Sequence, residues 1–168
     1  RQNPPGVEAY DLPARTLAEI EATLPYLVPS GKIVIGESAT RINEGEPFTH
    51  PCFKAILTAV RRRFPGVPLQ ITTNGSLLDA ATAVFLAGLA PVEINLSLNS
   101  ASILNRERLM GDKAAATAVR AAELLVAAGV PYHGSIVAMN WLTGWEDLKE
   151  TVECFDRWQA RTVRIFLP

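Results

Sequence analysis

Several polar side chains in this sequence stand where short apolar runs end, and their types suit the binding of a small polar ligand. They are the carboxylates Glu37 and Glu46, the hydroxyls Thr73 and Ser97, and the amides Asn74 and Asn99. An ionised carboxylate only accepts hydrogen bonds, whereas hydroxyl and amide groups can both donate and accept. If one edge of the fold gathers these groups, it can hold a polar molecule or use its carboxylates in acid–base chemistry.

Five short apolar runs predict the β-strands that would position these side chains. The runs are residues 32–36, 69–73, 93–98, 132–138 and 162–167. The first is β-branched and does not alternate with polar residues, which is typical of a strand buried on both faces. Starts that lie about 25–40 residues apart leave room for a helix in each interval, so the sequence predicts strand–helix–strand units and an α/β fold with a parallel sheet.

Capping signals and apolar periodicity predict the helices between the strands. The candidate capping boxes are Thr16 with Glu19, Ser76 with Asp79, and Thr143 with Glu146. Pro51 can open a helix, and Asp112 can cap an Ala-rich helix that ends at Gly129. The last helix has an apolar face that we expect to be mostly core, namely Trp145, Leu148, Val152, Phe155 and Trp158.

The predicted topology places the polar residues at one edge of the sheet. Parallel sheets bind ligands at the carboxyl ends of their strands, because loops and helix N-termini converge there. The opposite strand ends carry residues 29–31, 65–66 and 129–131, whose Pro and Gly content is typical of plain turns. We therefore expect the functional site at the carboxyl edge.

Composition disfavours several classes of protein. The 168 residues are 48% hydrophobic and 20% charged, as in a globular domain. The net charge of −1 disfavours nucleic-acid binding. The two cysteines, Cys52 and Cys154, are too few for a disulfide framework or a metal site made of cysteines alone. No run has the length and hydrophobicity of a membrane span, and residues 1–6 lack the apolar core of a signal peptide, so the expected location is the cytoplasm.

Three segments, in order, resemble motifs of the radical S-adenosylmethionine (SAM) enzymes. Residues 45–51, Gly-Glu-Pro-Phe-Thr-His-Pro, are similar to the GGEP-plus-HP signature of that superfamily. Residues 69–75 end in its Thr-Asn-Gly, and residues 96–99, Leu-Ser-Leu-Asn, look like its next strand end. The resemblance covers residues 13–168. It implies a partial TIM-type (βα)6 barrel, of which this chain would hold five strands without the family's first strand.

The resemblance also implies how SAM would be held. In the family, the glutamate of the GGEP motif accepts hydrogen bonds from the methionyl ammonium, a role that would fall on Glu46 between Gly45 and Pro47. A carboxylate pairs well with such a cation. The family's motif adjoins its strand, whereas residues 37–43 intervene here, so Glu37 is the alternative for this contact.

Other SAM contacts that the resemblance implies lie on the following strands. They are Thr73 and Asn74 at the second strand end, Ser97 and Asn99 at the third for the ribose or carboxylate, and Gly134 and Ile136 in the fourth for the adenine. The family's adenine motif is G-x-I-x-G-x-x-E, and this chain matches its first glycine and its isoleucine. Ala138 replaces the second glycine, and Trp141 replaces the glutamate.

The family's C-x-x-x-C-x-x-C loop, whose thiolates hold a [4Fe–4S] cluster, is absent from these residues. Because the sequence starts at Arg1, we expect residues 1–168 to be a fragment of a longer enzyme, with 1–12 as a remnant of the cluster loop and no metal ligand of its own. The resemblance implies that the parent cleaves SAM reductively to a 5′-deoxyadenosyl radical. With an electron donor, that radical would abstract hydrogen from an unknown small molecule or peptide, and the fragment alone would be inactive.

Two other interpretations stay open at this point. One is a cluster-free (βα) barrel lyase or aldolase that uses carboxylates at strand ends. The lysines of the sequence fall at strand starts or in helices, which disfavours a Schiff base; they are Lys32, Lys54, Lys113 and Lys149. The other interpretation is a non-catalytic barrel that serves as a protein-interaction surface.

Overall fold

The strands of this protein pair in the order in which the chain makes them. A computed structural model describes residues 14–36 and 45–167. Its strands are β1 Ile33–Ile35, β2 Leu69–Thr73, β3 Val92–Ser97, β4 Tyr132–Val137 and β5 Val163–Phe166. All neighbours are parallel, in the sheet order β1-β2-β3-β4-β5. The predicted α/β fold with five parallel strands is therefore confirmed.

Helical segments precede β1 and make the crossovers between the strands. They are α1 Leu17–Thr23, α2 Phe53–Arg63, α3 Ala80–Ala87, α4 Ile103–Met110, α5 Ala115–Ala127, α6 Asn140–Thr143 and α7 Trp145–Arg157, with short 3-10 helices at Leu24–Tyr26 and Pro47–Thr49. Right-handed crossovers between consecutive parallel strands put the helices on one face of the sheet, as in a segment of a (βα) barrel.

The two faces of the sheet differ in chemistry, because successive side chains of a strand point to opposite faces. On β3, Val92, Ile94 and Leu96 are buried, whereas the residues between them are partly exposed. Ile71 pairs with Ile94, so the buried set extends across β2. We call the opposite side the inner face, and its polar residues on β2, β3 and β4 are Gln70, Thr72, Glu93, Asn95, Ser97, His133 and Ser135.

Two of the predicted helix starts illustrate how local signals succeed and fail. The Thr16 capping box is present: Thr16 Oγ1 accepts the Glu19 N–H at 3.2 Å, and the Glu19 carboxylate accepts the Thr16 N–H at 2.7 Å. The prediction for Ser76 is wrong, because α3 begins only after Asp79, whose carboxylate accepts the Thr82 N–H at 2.7 Å.

The predicted start of the last helix is also wrong. Thr143 closes α6, and α7 begins after Gly144, whose φ of +87° breaks the helical path between the two. This break leaves Trp145 in the first turn of α7 with 67% of its surface exposed, so it is not part of the core. Phe155 is fully buried, and the other members of the predicted face pack against the core.

Apolar periodicity does not predict α4, because the side chain that this helix buries completely is charged. Arg106 has no exposed surface, while Ile103 and Leu104 are 46% and 74% exposed. Ser102 supplies the N-cap, and Gly111 in the left-handed region ends the helix. The partners of Arg106 then fix where this capped helix lies.

A glycine brings the loop after β1 back against the sheet. Gly36 has a φ of +74°, and a Cβ placed on it would overlap Pro47 Cγ and lie 2.6 Å from the Thr72 carbonyl oxygen. Any larger residue would push the proline away from the end of β2. The close approach places the residue before this proline, Glu46, beside the carboxyl end of β2.

A second glycine lets α7 approach β4. A Cβ on Gly134 would lie 2.8 Å from the ring of Phe155. That ring packs between Tyr132 and Trp158, with both ring centroids 6.3 Å away. The absence of a side chain at Gly134 therefore permits the aromatic packing that fixes α7 on the sheet.

A buried guanidinium joins the ends of β2 and β3 to the segment before α5. Arg106 Nε donates to Asp112 Oδ2 at 2.9 Å, and Nη2 donates to the Asn74 carbonyl at 2.7 Å. Nη1 donates to the carbonyls of Ser97, at 3.2 Å, and of Leu98. One planar group with five N–H donors thus satisfies three strand-end carbonyls and one carboxylate.

Asp112 is held ionised by its partners. Burial by itself raises the pKa of this carboxyl, but donors from the Ala114 N–H and the Ser76 hydroxyl and the charge of Arg106 outweigh it, so the pKa lies below its ordinary value. The two hydrogen bonds measure 2.9 and 2.8 Å. Because the folded-state pKa is lowered, this carboxylate adds stability above its unfolded pKa and loses it as the pH falls through the folded one.

We expect Gly134→Ala to lower the melting temperature by about 2–10 °C, because overpacking a core costs about 1–3 kcal/mol. The new methyl group would overlap the ring of Phe155. Differential scanning calorimetry measures the change. Ser135→Ala, one residue along on the inner face, is the matched control, and an equal loss in both variants would contradict this account.

We expect Asp112→Asn to lower the melting temperature near pH 7 by about 8 °C, because removing one partner of a buried ion pair costs about 3 kcal/mol. The difference from the unsubstituted chain should shrink as the pH falls below 3.8, the ordinary value for this carboxyl. Thermal unfolding from pH 7 down to pH 3 tests both statements. The exposed Asp156→Asn is the control, and a pH-independent difference for Asp112→Asn would refute the proposed linkage.

Candidate functional site

A carboxylate sits at the carboxyl end of β2, where the sequence predicts a ligand site. Glu46 precedes the 3-10 helix Pro47–Thr49 and is partly exposed. Its Oε1 accepts the Thr73 hydroxyl at 2.6 Å and, more weakly, the Phe48 N–H at 3.4 Å. Its Oε2 accepts the Asn74 N–H at 2.7 Å. The structure therefore brings three predicted site residues into direct contact.

The Glu46 carboxylate still has room for one further donor. Two carboxylate oxygens offer about four lone-pair directions, and the three bonds described above use two on Oε1 and one on Oε2. The remaining direction belongs to Oε2. An ionised carboxylate forms its strongest hydrogen bonds with cationic donors, so an ammonium group is the best chemical match for this position.

The turn after β2 is held rigidly by its own side chains. Thr73 Oγ1 accepts the Gly75 N–H at 3.0 Å, and Asn74 Oδ1 accepts the Ser76 N–H at 2.9 Å. Such bonds are the usual way in which Asn and Thr stabilise turns. The Asn74 side-chain oxygen is thus used within the turn, while its backbone N–H faces Glu46.

Opposite charges lie on the two sides of this turn. Burial lowers the pKa of Arg106, while the charges of Asp112 and Glu46 oppose that effect. The guanidinium has no exposed surface, so it acts on the site through the carbonyls that it binds. Sequence reasoning did not predict the burial of Arg106.

The predicted residues at the end of β3 have different surroundings. Ser97 points to the inner face and is partly exposed, and its carbonyl is bound by Arg106. Asn99 has a φ of +63°, which asparagine tolerates better than most residues. Its Oδ1 accepts the Val137 N–H at 2.9 Å, and its Nδ2 donates to Met110 Sδ at 3.1 Å. Asn99 therefore links the ends of β3 and β4.

The remaining predicted residues lie apart from this cluster or outside the described residues. Gly134 and Ile136 are both buried on the face of β4 that is covered by helices. Their backbone, and not the Ile136 side chain, is what a ligand on the inner face can reach. Gly45 is exposed beside Glu46. Glu37, the alternative to Glu46, lies outside the described residues.

The residues of this chain do not fit an iron–sulfur cluster. Within residues 14–36 and 45–167, no group of three or more His, Cys, Asp or Glu side chains can hold a metal ion. Cys52 is exposed before α2, and Cys154 is buried on α7. A [4Fe–4S] cluster needs three or four thiolates, and the whole sequence has two.

Sequence reasoning also missed the row of polar residues on the inner face of the sheet, next to the carboxyl edge. Asn95 lies in the middle of β3, where its Nδ2 donates to Thr72 Oγ1 at 3.4 Å. The partial alternation of residues 93–98 was the available signal, since it predicts that Glu93, Asn95 and Ser97 share one face.

Comparison with known proteins gives the family and the fold. The family model of the radical SAM superfamily matches residues 7–155. A search of curated proteins finds no match. Among solved structures, SuiB of Streptococcus suis bound to S-adenosylmethionine is 18% identical, with a TM-score of 0.70, and covers 95% of this chain and 35% of its own.

Two further solved structures have the same fold. Methylornithine synthase PylB is 18% identical, with a TM-score of 0.65, over 96% of this chain and 45% of its own. Native anSMEcpe with bound AdoMet is 16% identical, with a TM-score of 0.63, over 90% of this chain and 41% of its own. The chain thus spans less than half the length of the structures it resembles, and their folds confirm the predicted partial barrel. Since the family match extends over most of the sequence, this chain belongs to the radical SAM superfamily.

Proposed function

We propose that this chain is the SAM-binding core of a radical SAM iron–sulfur enzyme. The observation that carries the proposal is the Glu46 carboxylate, which is held against Thr73 and Asn74 and keeps one acceptor direction on Oε2. When bound, SAM and the cluster together supply a 5′-deoxyadenosyl radical that abstracts hydrogen from a substrate. The residues of this chain bind and orient SAM, and the protein contributes placement rather than the difficult chemistry.

In this proposal Glu46 binds the methionyl ammonium of SAM. The ammonium has three donors and no acceptor, and the free direction on Oε2 accepts one of them. Thr73 and the Asn74 backbone then keep the carboxylate from rotating. Gly45 and Pro47 flank it, and the contact of Pro47 with Gly36 holds this segment at the strand end.

The rest of SAM would extend along the carboxyl edge. We propose that Ser97 and Asn99 contact its ribose or carboxylate, because they end the neighbouring strand β3 and both retain donors. We propose that the backbone around Gly134 and Ile136 lies against the adenine, since their side-chain positions face the core. The bonds from Asn99 to β4 would keep these two parts of the site in register.

The cluster belongs to the parent protein in this proposal. The match spans 28–45% of the length of the solved structures that share this fold. The rest of such proteins has room for a cysteine loop. We propose that residues 1–168 form the partial barrel, with 1–12 next to that loop, and that the barrel segment alone does no radical chemistry. An electron donor would serve the parent enzyme.

The substrate is proposed to be a small molecule or a peptide. SuiB has been solved bound to its precursor peptide SuiA, and anSMEcpe with the Kp18Cys peptide, and these relatives support the peptide class. The net charge of −1 supports a substrate other than nucleic acid. Within residues 14–36 and 45–167, no helix has the length and apolar character that spanning a bilayer requires. We propose a cytoplasmic location, in keeping with the free thiols Cys52 and Cys154.

No observation favours the two other interpretations of the sequence. A lyase or aldolase would need a lysine or a metal triad at the carboxyl edge. Lys32 instead forms an ion pair with Glu93 near the start of β3, with 3.8 Å between Nζ and Oε1. Lys149 forms an ion pair with Glu153 on α7, with 3.9 Å between Nζ and Oε1.

We expect Glu46→Gln to raise the Kd for SAM by about 10–100-fold, because a hydrogen bond to a charged group is worth about 1.5–3 kcal/mol. Isothermal titration calorimetry measures the affinity. The exposed Glu107→Gln on α4 is the control for loss of one negative charge and should bind as the unsubstituted chain does. If Glu37→Gln weakened binding while Glu46→Gln did not, the ammonium contact would belong to Glu37.

We expect the cluster of the parent enzyme to survive the loss of both cysteines of this chain. The double variant Cys52→Ala, Cys154→Ala should keep its iron content and the broad visible absorption of a [4Fe–4S] centre after anaerobic reconstitution. Among the residues that the structure describes, neither thiol belongs to a group of three or more side chains that could hold a metal. Loss of iron in this variant, or a parent gene without three cysteines at C-x-x-x-C-x-x-C spacing, would overturn the proposal.

A further inference from the structure

A buried amide oxygen on the inner face has no hydrogen-bond partner among the residues that the structure describes. Asn95 donates through Nδ2 to Thr72 Oγ1 at 3.4 Å, but its Oδ1 is shielded and unpaired. More than about 90% of buried polar groups in folded proteins are paired. An unpaired buried carbonyl lowers stability. A hydrogen-bond donor from a ligand would therefore bind favourably to this oxygen.

The groups on the amino-end side of Asn95 are already engaged with one another. Glu93 Oε1 lies 3.8 Å from Lys32 Nζ, and its Oε2 lies 3.4 Å from His133 Nε2. His133 Nδ1 lies 2.7 Å from Thr162 Oγ1. This paired cluster closes one end of the polar row, so the Asn95 oxygen gets no donor from that direction.

The opposite direction is lined by hydroxyl groups. Ser97 is the next residue of β3 on the same face as Asn95, and Ser97 pairs with Ser135 on β4. Both are partly exposed. Asn95 lies two residues, about 7 Å, before Ser97 at the end of β3. On the β2 side it pairs with Thr72, which directly precedes the Thr73 that donates to Glu46. A ligand at Asn95 therefore lies beside the serines and close to the candidate SAM site.

We call the inner-face surface of Thr72, Asn95, Ser97 and Ser135 the trough. Its chemistry favours one kind of ligand group. The hydroxyls of Thr72, Ser97 and Ser135 can donate or accept, whereas the unpaired Asn95 carbonyl oxygen can only accept, so the ligand must bring a donor to that oxygen. A primary ammonium carries three donors and no acceptor, and it is small enough to lie between neighbouring strands. An ionised carboxylate has no donor for the Asn95 oxygen and would leave it unpaired.

We propose that Asn95 Oδ1 receives an N–H of the substrate, and that the substrate of this enzyme presents a primary amine to the trough formed by Thr72, Asn95, Ser97 and Ser135. This inference rests on the proposed function, since it treats the trough as the place beside bound SAM where the substrate lies. Asn95 is then a residue that determines substrate specificity, and a substrate with an amino-acid or lysine-like amine meets its requirement.

The test uses the full-length parent enzyme with its cluster and n-butylammonium as the probe, followed by saturation-transfer NMR. We expect saturable binding, weakened at least tenfold in Asn95→Leu, which has a similar size but no acceptor. Asn95→Asp keeps an acceptor and adds negative charge, so it should bind the probe as tightly or more tightly. 1-Butanol should bind at least tenfold more weakly than the amine, and butyrate should show no saturable binding. Equal binding of n-butylammonium to the unsubstituted enzyme and Asn95→Leu would overturn the proposal.

A second measurement separates ligand binding from a structural role. In the absence of the probe, Asn95→Leu should unfold at the same or a higher temperature, because it replaces an unpaired oxygen by an apolar group. The substitution also removes the weak bond from Asn95 Nδ2 to Thr72, which accounts for a loss of at most about 6 °C. A larger loss, or a crystal structure of the full enzyme in which a protein group or an ordered water donates to Asn95 Oδ1, would end the proposal.

Failure of this inference can be told from failure of the proposed function. SAM binding by calorimetry should be unchanged in Asn95→Leu, and Asn95→Leu should still weaken the binding of n-butylammonium at least tenfold when saturating SAM occupies Glu46. If SAM binds and n-butylammonium does not, the trough proposal alone is wrong. If n-butylammonium binds with the expected dependence on Asn95 while SAM does not bind at all, the trough is an amine site and its link to SAM chemistry is wrong.

Discussion

The ends of β2 and β3 depend on one buried guanidinium. Arg106 has no exposed surface, so its charge has left water entirely and is compensated only by the protein. Asp112 compensates the charge, and the Asn74, Ser97 and Leu98 carbonyls use the other donors. Without this side chain, these three carbonyls would lose their donor at the point where the sheet ends and the loops of the site begin, and unpaired carbonyls are costly there.

This constraint reaches Glu46 through Asn74. The Asn74 carbonyl accepts from Arg106, and the Asn74 N–H donates to Glu46 at 2.7 Å. A buried positive charge and a partly exposed negative charge thus hold the same short turn from its two sides. Glu46 keeps its orientation because Thr73 also donates to it at 2.6 Å. The carboxylate is therefore preorganised, which lowers the entropic cost of ordering it when a ligand binds.

The sequence predicts the sheet and the location of the site better than it predicts the contacts within it. Strand runs and the Thr16 capping box depend on neighbouring residues, and both are present. The Ser76 prediction fails because its hydroxyl donates to Asp112, 36 residues away. Helix α4 escapes prediction because burial of Arg106 depends on acceptors supplied by other segments. Local pattern cannot report partners that only the folded chain brings together.

The division between the two faces of the sheet explains how the carboxyl edge and the trough can serve different purposes. Register is set by the buried residues Ile71, Ile94 and Leu96, since a slip of one residue would expose all of them. Asn95 lies on the opposite face and makes no bond to Arg106. A change at Asn95 therefore need not disturb the strand ends that position Glu46. A barrel of this kind can alter what it recognises on its inner face while the residues at its carboxyl edge keep their geometry.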